Sequence, residues 1–209
     1  MSESLAAIRA EGQGLDQVLA GLPDGWPDLP TRLGAWTLRE LVAHLLRGPS
    51  RVTTYLAQDP PERAEIDWLD YWRRANTSDP SEVAARASTD AASTSPEDLV
   101  RRFGPAWRDA VAAAERSGAD RVTTTPLGAA RLDHYLTSRV VELTVHGLDV
   151  RAALGLPPEA TPRGLDVTTR VLTGLLGRAR PADLADDVSF VLAATGRVPH
   201  GNPALPVLR

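Results

Sequence analysis

The residue types that could do chemistry in this chain are concentrated between Tyr135 and Asp149. At about 100° of rotation per helical residue, Tyr135, Arg139, Glu142, His146 and Asp149 fall on one narrow stripe. Leu132, Leu136, Leu143 and Val150 flank it on one side, and Val141, Val145 and Ala152 on the other. Thr137, Thr144 and Arg151 form the strip expected to face solvent. The charged stripe is therefore expected to point into a helix bundle, where charges must be paired, hydrogen-bonded or bound to metal. Glu142 and His146, four residues apart, can share one ion, as in bundle metal sites built from facing helices. A third donor must then come from another helix. His44 is the candidate, since it sits mid-helix among Leu41, Val42, Leu45 and Leu46. Two histidines and a glutamate form a common catalytic zinc set with an open coordination position, and the same donors suit iron or nickel. Simpler arrangements use the same residues: an intrahelical Glu/His contact, a satisfied core histidine at 44, or a buried Arg139–Glu142 ion pair. His134 lies off the stripe and His200 lies in the tail, and both are read as incidental.

Composition narrows the chemistry further. The 209 residues contain no cysteine, which excludes disulfides, thiolate metal sites and a cysteine nucleophile. All 23 basic residues are arginine, so a lysine Schiff base, a lysine general base and a phosphate-loop lysine are also excluded. The arginine- and alanine-rich composition suggests a GC-rich genome. A net charge of −4 disfavours a nucleic-acid partner, which would need a basic excess. No stretch approaches the roughly 18 apolar residues of a membrane span, and no signal peptide is visible at the N-terminus. No membrane partner and a cytoplasmic location are therefore expected.

Several elements must position these residues. Residues 3–20 have helical spacing weakened by Gly12 and Gly14, and residues 21–35 read as a loop. Thr37 and Glu40 form a capping-box pattern opening a helix through His44, with Trp36 and Leu41 placed as a hydrophobic staple. Gly48-Pro49 is expected to break or kink this helix before a second piece ending near Ala57. Short helices are expected within 62–75 and 76–95. Ser95-Pro96 opens a longer helix to about Ser117-Gly118, with a kink expected at Gly104-Pro105. After a loop over 119–130 comes the longest helical pattern, 131–154, with Gly155 as its C-terminal glycine. Another helix is expected over 162–180, while periodicity leaves 187–194 open between strand and helix. The fold class is mainly α: four main helices in an antiparallel bundle, with a short C-terminal extension.

Two motifs carry a family resemblance. Gly34-Ala35-Trp36-Thr37-Leu38-Arg39-Glu40-Leu41-Val42-Ala43-His44-Leu45 resembles a G-W-[ST]-x-x-[DE]-L-x-x-H helix. Thr125-Pro126-Leu127-Gly128, followed by Arg139-Val140-Val141-Glu142-Leu143-Thr144-Val145-His146-Gly147-Leu148-Asp149, resembles a T-P-x-G loop with an R-x-x-E-x-x-x-H-x-x-D helix. Together they resemble the mycothiol-dependent maleylpyruvate isomerase-like proteins of the DinB-like superfamily, and they bracket residues 34–155. The resemblance implies a DinB-like four-helix bundle over residues 1–155 holding a divalent metal, usually zinc, on His44, Glu142 and His146. Residues 156–209 would form a short extension packed on the bundle. Full-length isomerases of this family have a larger C-terminal α/β domain, of which 156–209 resembles the start.

The resemblance also implies a mechanism. Mycothiol, the small thiol of actinobacteria, would be the cosubstrate, and a divalent cation lowers a bound thiol's pKa until it is a thiolate at neutral pH. In an isomerisation the sulfur adds to a conjugated double bond, allows rotation and leaves; in an S-transfer it attacks an electrophile and stays. Arg139 and Asp149 are the residues expected to support this chemistry, Asp149 by orienting a ligating imidazole and Arg139 by holding a carboxylate. The partners implied are a small electrophile and a low-molecular-weight thiol, with a homodimer in keeping with such bundles. Two other readings are a metal-dependent hydrolase working without thiol and a non-catalytic metal-binding bundle.

Overall fold

A computed structural model describes residues 2–208. Its helices are α1 (Glu3–Ala20), α2 (Leu38–Leu56), α3 (Trp68–Ala75), α4 (Pro80–Ser93), α5 (Pro96–Ser117), α6 (Leu132–Ala153), α7 (Pro162–Leu176) and α8 (Asp187–Ala194). The protein is thus mainly α. Two-residue strands β1 (Val122–Thr123) and β2 (Ala130–Arg131) pair antiparallel, with Val122 opposite Arg131, inside the stretch expected to be loop. α1, α5, α2 and α6 close a four-helix ring in that order, each packing against the next. α4 covers α2, α3 lies against α6 and α7, and α7 packs on α1 and α6 and carries α8. No helix among the described residues is long and apolar enough to cross a membrane.

Local sequence explains most helix starts. The capping box is complete: Thr37 N–H donates to Glu40 Oε2 at 2.8 Å, and Glu40 N–H donates to Thr37 Oγ1 at 3.3 Å. Ser95 and Thr161 cap α5 and α7 with proline at the first helical position. α6 ends at Ala153 with Leu154 as its C-cap, and Gly155 follows with φ +66°, a left-handed conformation suited to glycine.

Tertiary packing decides three points. First, of the break or kink expected at Gly48-Pro49, the break does not occur: α2 runs unbroken through Pro49, and α5 likewise continues through Pro105. On α2 the apolar face continues across the proline, with Leu41, Val42, Leu45, Val52 and Tyr55 all buried. That shared burial outweighs one missing backbone hydrogen bond. Second, the 137/144 strip of α6 faces protein. Thr144 is fully buried, and Thr137 Oγ1 lies 3.1 Å from Ser4 Oγ of α1. A bundle of four would leave this strip wet, but α1 and α7 together enclose it, so α6 is covered nearly all round. Third, residues 187–194 are helical, opened by the Asp186 carboxylate accepting from Ser189 N–H at 2.7 Å. The extension therefore contains no strand among the described residues.

Candidate metal centre

α2 and α6 cross so that His44 faces Glu142 and His146. The anchors of α2 are its capping box and Arg39, whose guanidinium donates to the carbonyls of Ala91 at 2.6 Å and Thr94 at 3.0 Å. The Thr125–Gly128 turn before α6 is held by Thr125 Oγ1 donating to Gly128 O at 2.7 Å, and Arg74 donates to Leu127 O at 2.8 Å. Two well-fixed segments thus set the approach of the three side chains.

His44 Nε2 lies 3.0 Å from Glu142 Oε2, and His146 Nε2 lies 3.5 Å from the same oxygen. One donor atom from each of the three residues lies within 4.8 Å of the others, and all three side chains are largely buried. Two donors held about 2.1 Å from a tetrahedral ion are about 3.4 Å apart, so the observed 3.0 and 3.5 Å fit a single divalent cation. The imidazoles meet edge to face, with centroids 5.1 Å apart, and Trp36 packs its ring edge-on to His44 at 5.3 Å.

Protonation states suit the same fit. Burial pulls the His44 imidazole below its ordinary value, only partly offset by Glu142, so its neutral, ligating form is favoured. Burial pushes the Glu142 carboxyl up. The His44 hydrogen bond and the neighbouring His146, His44 and Arg139 more than reverse this, holding it well below the carboxylate range. His44 and Glu142 therefore meet as neutral imidazole and carboxylate.

Asp149 lies behind His146 and is fully buried. Its Oδ2 is 3.0 Å from His146 Nδ1. This leaves His146 Nε2 directed at Glu142. Burial raises the Asp149 carboxyl, but His146 and Arg197 outweigh that and bring it to about 2.

Beside His44 and Glu142, and lined by both, opens a cavity of about 420 Å³. Two arginines on its wall have no carboxylate within ion-pair distance among the described residues. Arg139 donates from Nη2 to Tyr71 OH at 2.9 Å and lies against the rings of Tyr71 and Tyr135. Arg51 donates from Nη1 to Tyr55 OH at 2.8 Å. The buried Trp107 indole N–H, on the same wall, has no hydrogen-bond partner. A cavity walled by two arginines without carboxylate partners is suited to an anionic ligand.

Of the residues nominated from sequence, His44, Glu142, His146, Arg139 and Asp149 come together here. Tyr135 is buried beneath Arg139. His200 pairs with Asp183 at 3.2 Å, and His134 lies at a separate cleft beside Ser4 and Trp68. Arg51 was not anticipated, although it lies seven residues after His44 and hence on the same helix face. Arg197 was not anticipated either, and no local spacing points to it.

Comparison with known proteins gives a consistent picture. The family described as mycothiol maleylpyruvate isomerase N-terminal domain matches residues 8–151. Two curated relatives from two strains of Mycobacterium tuberculosis, both described as uncharacterized proteins, are 31% identical over 167 residues. The match covers 76% of this chain and 59% of each relative, so the chain spans little more than half their length. No solved structure matches.

Proposed function

The chain belongs to the mycothiol maleylpyruvate isomerase N-terminal domain family, and from that membership we propose that it is a divalent-metal- and mycothiol-dependent enzyme. It acts on a small electrophile, as an isomerase or an S-transferase, in the cytoplasm. The observation that carries the proposal is the convergence of His44, Glu142 and His146 donors, with His44 and Glu142 lining an arginine-walled cavity.

The three residues would hold zinc, or nickel or iron, as a set of three protein donors. A bound divalent cation would supply thiol activation, favouring the thiolate at neutral pH. Asp149 holds the His146 ring by its Nδ1 and, being fully buried, acts as a positioning residue without touching substrate. Arg139 and Arg51 bind and orient a carboxylate of the electrophile, and their tyrosine partners fix the guanidinium planes. Trp36 shields the outer edge of His44 from solvent.

The test is metal analysis of purified protein together with a thermal-shift screen of mycothiol and other small thiols, on wild type and His44→Ala. Stoichiometric metal, lost in the variant, and a thiol-induced stabilisation only of the metal-loaded protein are expected. A metal-free native protein left unchanged by His44→Ala would refute the reading. Metal binding with turnover independent of thiol would instead favour hydrolysis.

A further inference from the structure

The residues after the family-matched segment reach the metal centre through one side chain. One side of α8 is buried, with Phe190, Val191 and Ala194 inaccessible to solvent. The chain then turns at Gly196, whose φ of +72° belongs to the left-handed region. Arg197 N–H and Val198 N–H both return to Leu192 O, at 2.8 and 3.2 Å, and close the turn. Farther along, Val207 and Leu208 N–H groups donate to Ala194 O at 2.9 and 3.1 Å, pinning the tail against the same helix end.

This turn aims the Arg197 guanidinium inward, and all three of its nitrogens are engaged. Nη2 donates to Asp149 Oδ2 at 2.9 Å, Nε lies 3.3 Å from both Asp149 oxygens, and Nη1 donates to Thr195 O at 2.9 Å. Only 10% of the Arg197 side chain and none of Asp149 is exposed. The same Oδ2 that accepts from Arg197 also accepts from His146 Nδ1. A carboxylate with no solvent needs a fixed cation, and Arg197 is the only arginine within ion-pair distance of it among the described residues. The fork locks the carboxylate plane, and that plane determines where Oδ2 meets the imidazole.

We propose that Arg197 is a positioning residue of the metal centre: acting through Asp149, it fixes His146 in the Nδ1–H tautomer with Nε2 turned toward Glu142 and His44. The segment beyond residue 151 thereby completes a site whose donors all lie inside the matched family segment. The proposal rests on the reading of His44, Glu142 and His146 as metal ligands, while its tautomer component stands without metal.

The experiment compares the full chain with Arg197→Ala, Arg197→Lys and Leu208→Ala, using zinc ion alone as the probe. Leu208 is buried in the tail, so its truncation loosens the segment without touching Asp149. Zinc affinity is measured by competition with a chelating dye, and the His146 tautomer by long-range proton–nitrogen NMR of the metal-free protein. Arg197→Ala is expected to weaken zinc binding about 10- to 100-fold, the usual effect of losing a partner behind a ligand, and to convert His146 to a tautomer mixture. Arg197→Lys keeps the charge but not the fork and should fall between; it also keeps the comparison open if the alanine variant does not fold. Leu208→Ala should lower thermal stability with zinc affinity and tautomer unchanged. Unaltered zinc affinity and an unaltered tautomer in both Arg197 variants would overturn the proposal. So would a loss of affinity in Leu208→Ala matching that of Arg197→Ala, which would make the tail a brace only. If wild type binds no zinc, the metal reading fails, and the tautomer of the Arg197 variants alone decides this inference.

Discussion

Glu142 and Glu11 are both carboxylates withdrawn from water on helices of one bundle, yet their surroundings have opposite effects. Glu142 meets two imidazoles and the field of Arg139, and is held ionised despite burial. Glu11 is 6% exposed, and burial is the strongest influence on it, pushing its carboxyl above the ordinary 4.5 even though Thr161 and the Arg151 charge pull the other way. Its Oε1 accepts from Thr161 N–H at 2.7 Å and from Thr161 Oγ1 at 2.6 Å. Glu11 thus ties the start of α7 to α1, at an N-terminus where a carboxylate complements free N–H groups. Burial alone does not distinguish a structural acid from a chemical one; the neighbours do. Cations and imidazoles that keep an acid charged beside a cavity indicate chemistry, whereas hydroxyl and amide donors closed around it indicate a brace.

The contrast is open to experiment, and the largest expected effect is on metal binding. Glu142→Ala or His44→Ala should lower zinc affinity more than about 100-fold, beyond the range of partners behind the ligands. Both should abolish the stabilisation of about 2.7 kcal/mol that zinc at a hundred times its Kd gives a native-state site. Glu11→Ala should leave zinc affinity within about twofold, since distant sites act independently. Equal losses at both glutamates, measured by dye competition, would collapse the distinction.

Next in size is a packing effect confined to the brace. A Cβ at Gly164 would lie 2.0 Å from Glu11 Oε1 and 2.7 Å from Thr144 Oγ1. Gly164→Ala should therefore destabilise the fold by about 2–3 kcal/mol in denaturant melts, the scale of overpacking, with zinc affinity retained. A neutral outcome would mean that α7 docks more loosely than these contacts require.

The smallest effect is a pH slope. Because the folded-state value of Glu11 is raised, the native chain binds this proton more tightly than the unfolded chain does. Stability from this group is present in acid and is lost as pH rises from the unfolded value through the folded one. Melting temperatures of wild type relative to Glu11→Gln should accordingly rise on acidification from neutral pH toward 4.5. A difference independent of pH would show that Glu11 is not strained by burial.

Legibility from sequence followed the range of the interactions. The capping box at Thr37/Glu40, the Ser95-Pro96 start and Gly155 after α6 depend on neighbours a few residues away, and each is where local pattern placed it. The break offered at Pro49 does not occur, because the apolar face of α2 stays buried on both sides of the proline. Thr144 misled because its strip is polar in composition, while α1 and α7 decide whether water reaches it.

The site divides along the same line. Helical periodicity alone places Arg139, Glu142, His146 and Asp149 on one stripe, because 3.6 residues per turn is a property of the backbone. The absence of cysteine and lysine likewise removes whole classes of chemistry without any structure. Tertiary structure decided which side chains meet the stripe. His44 arrives from 98 positions earlier and Arg197 reaches Asp149 from 48 positions later. Such approaches depend on how helices and a turned-back tail pack in three dimensions, and no local spacing encodes that packing.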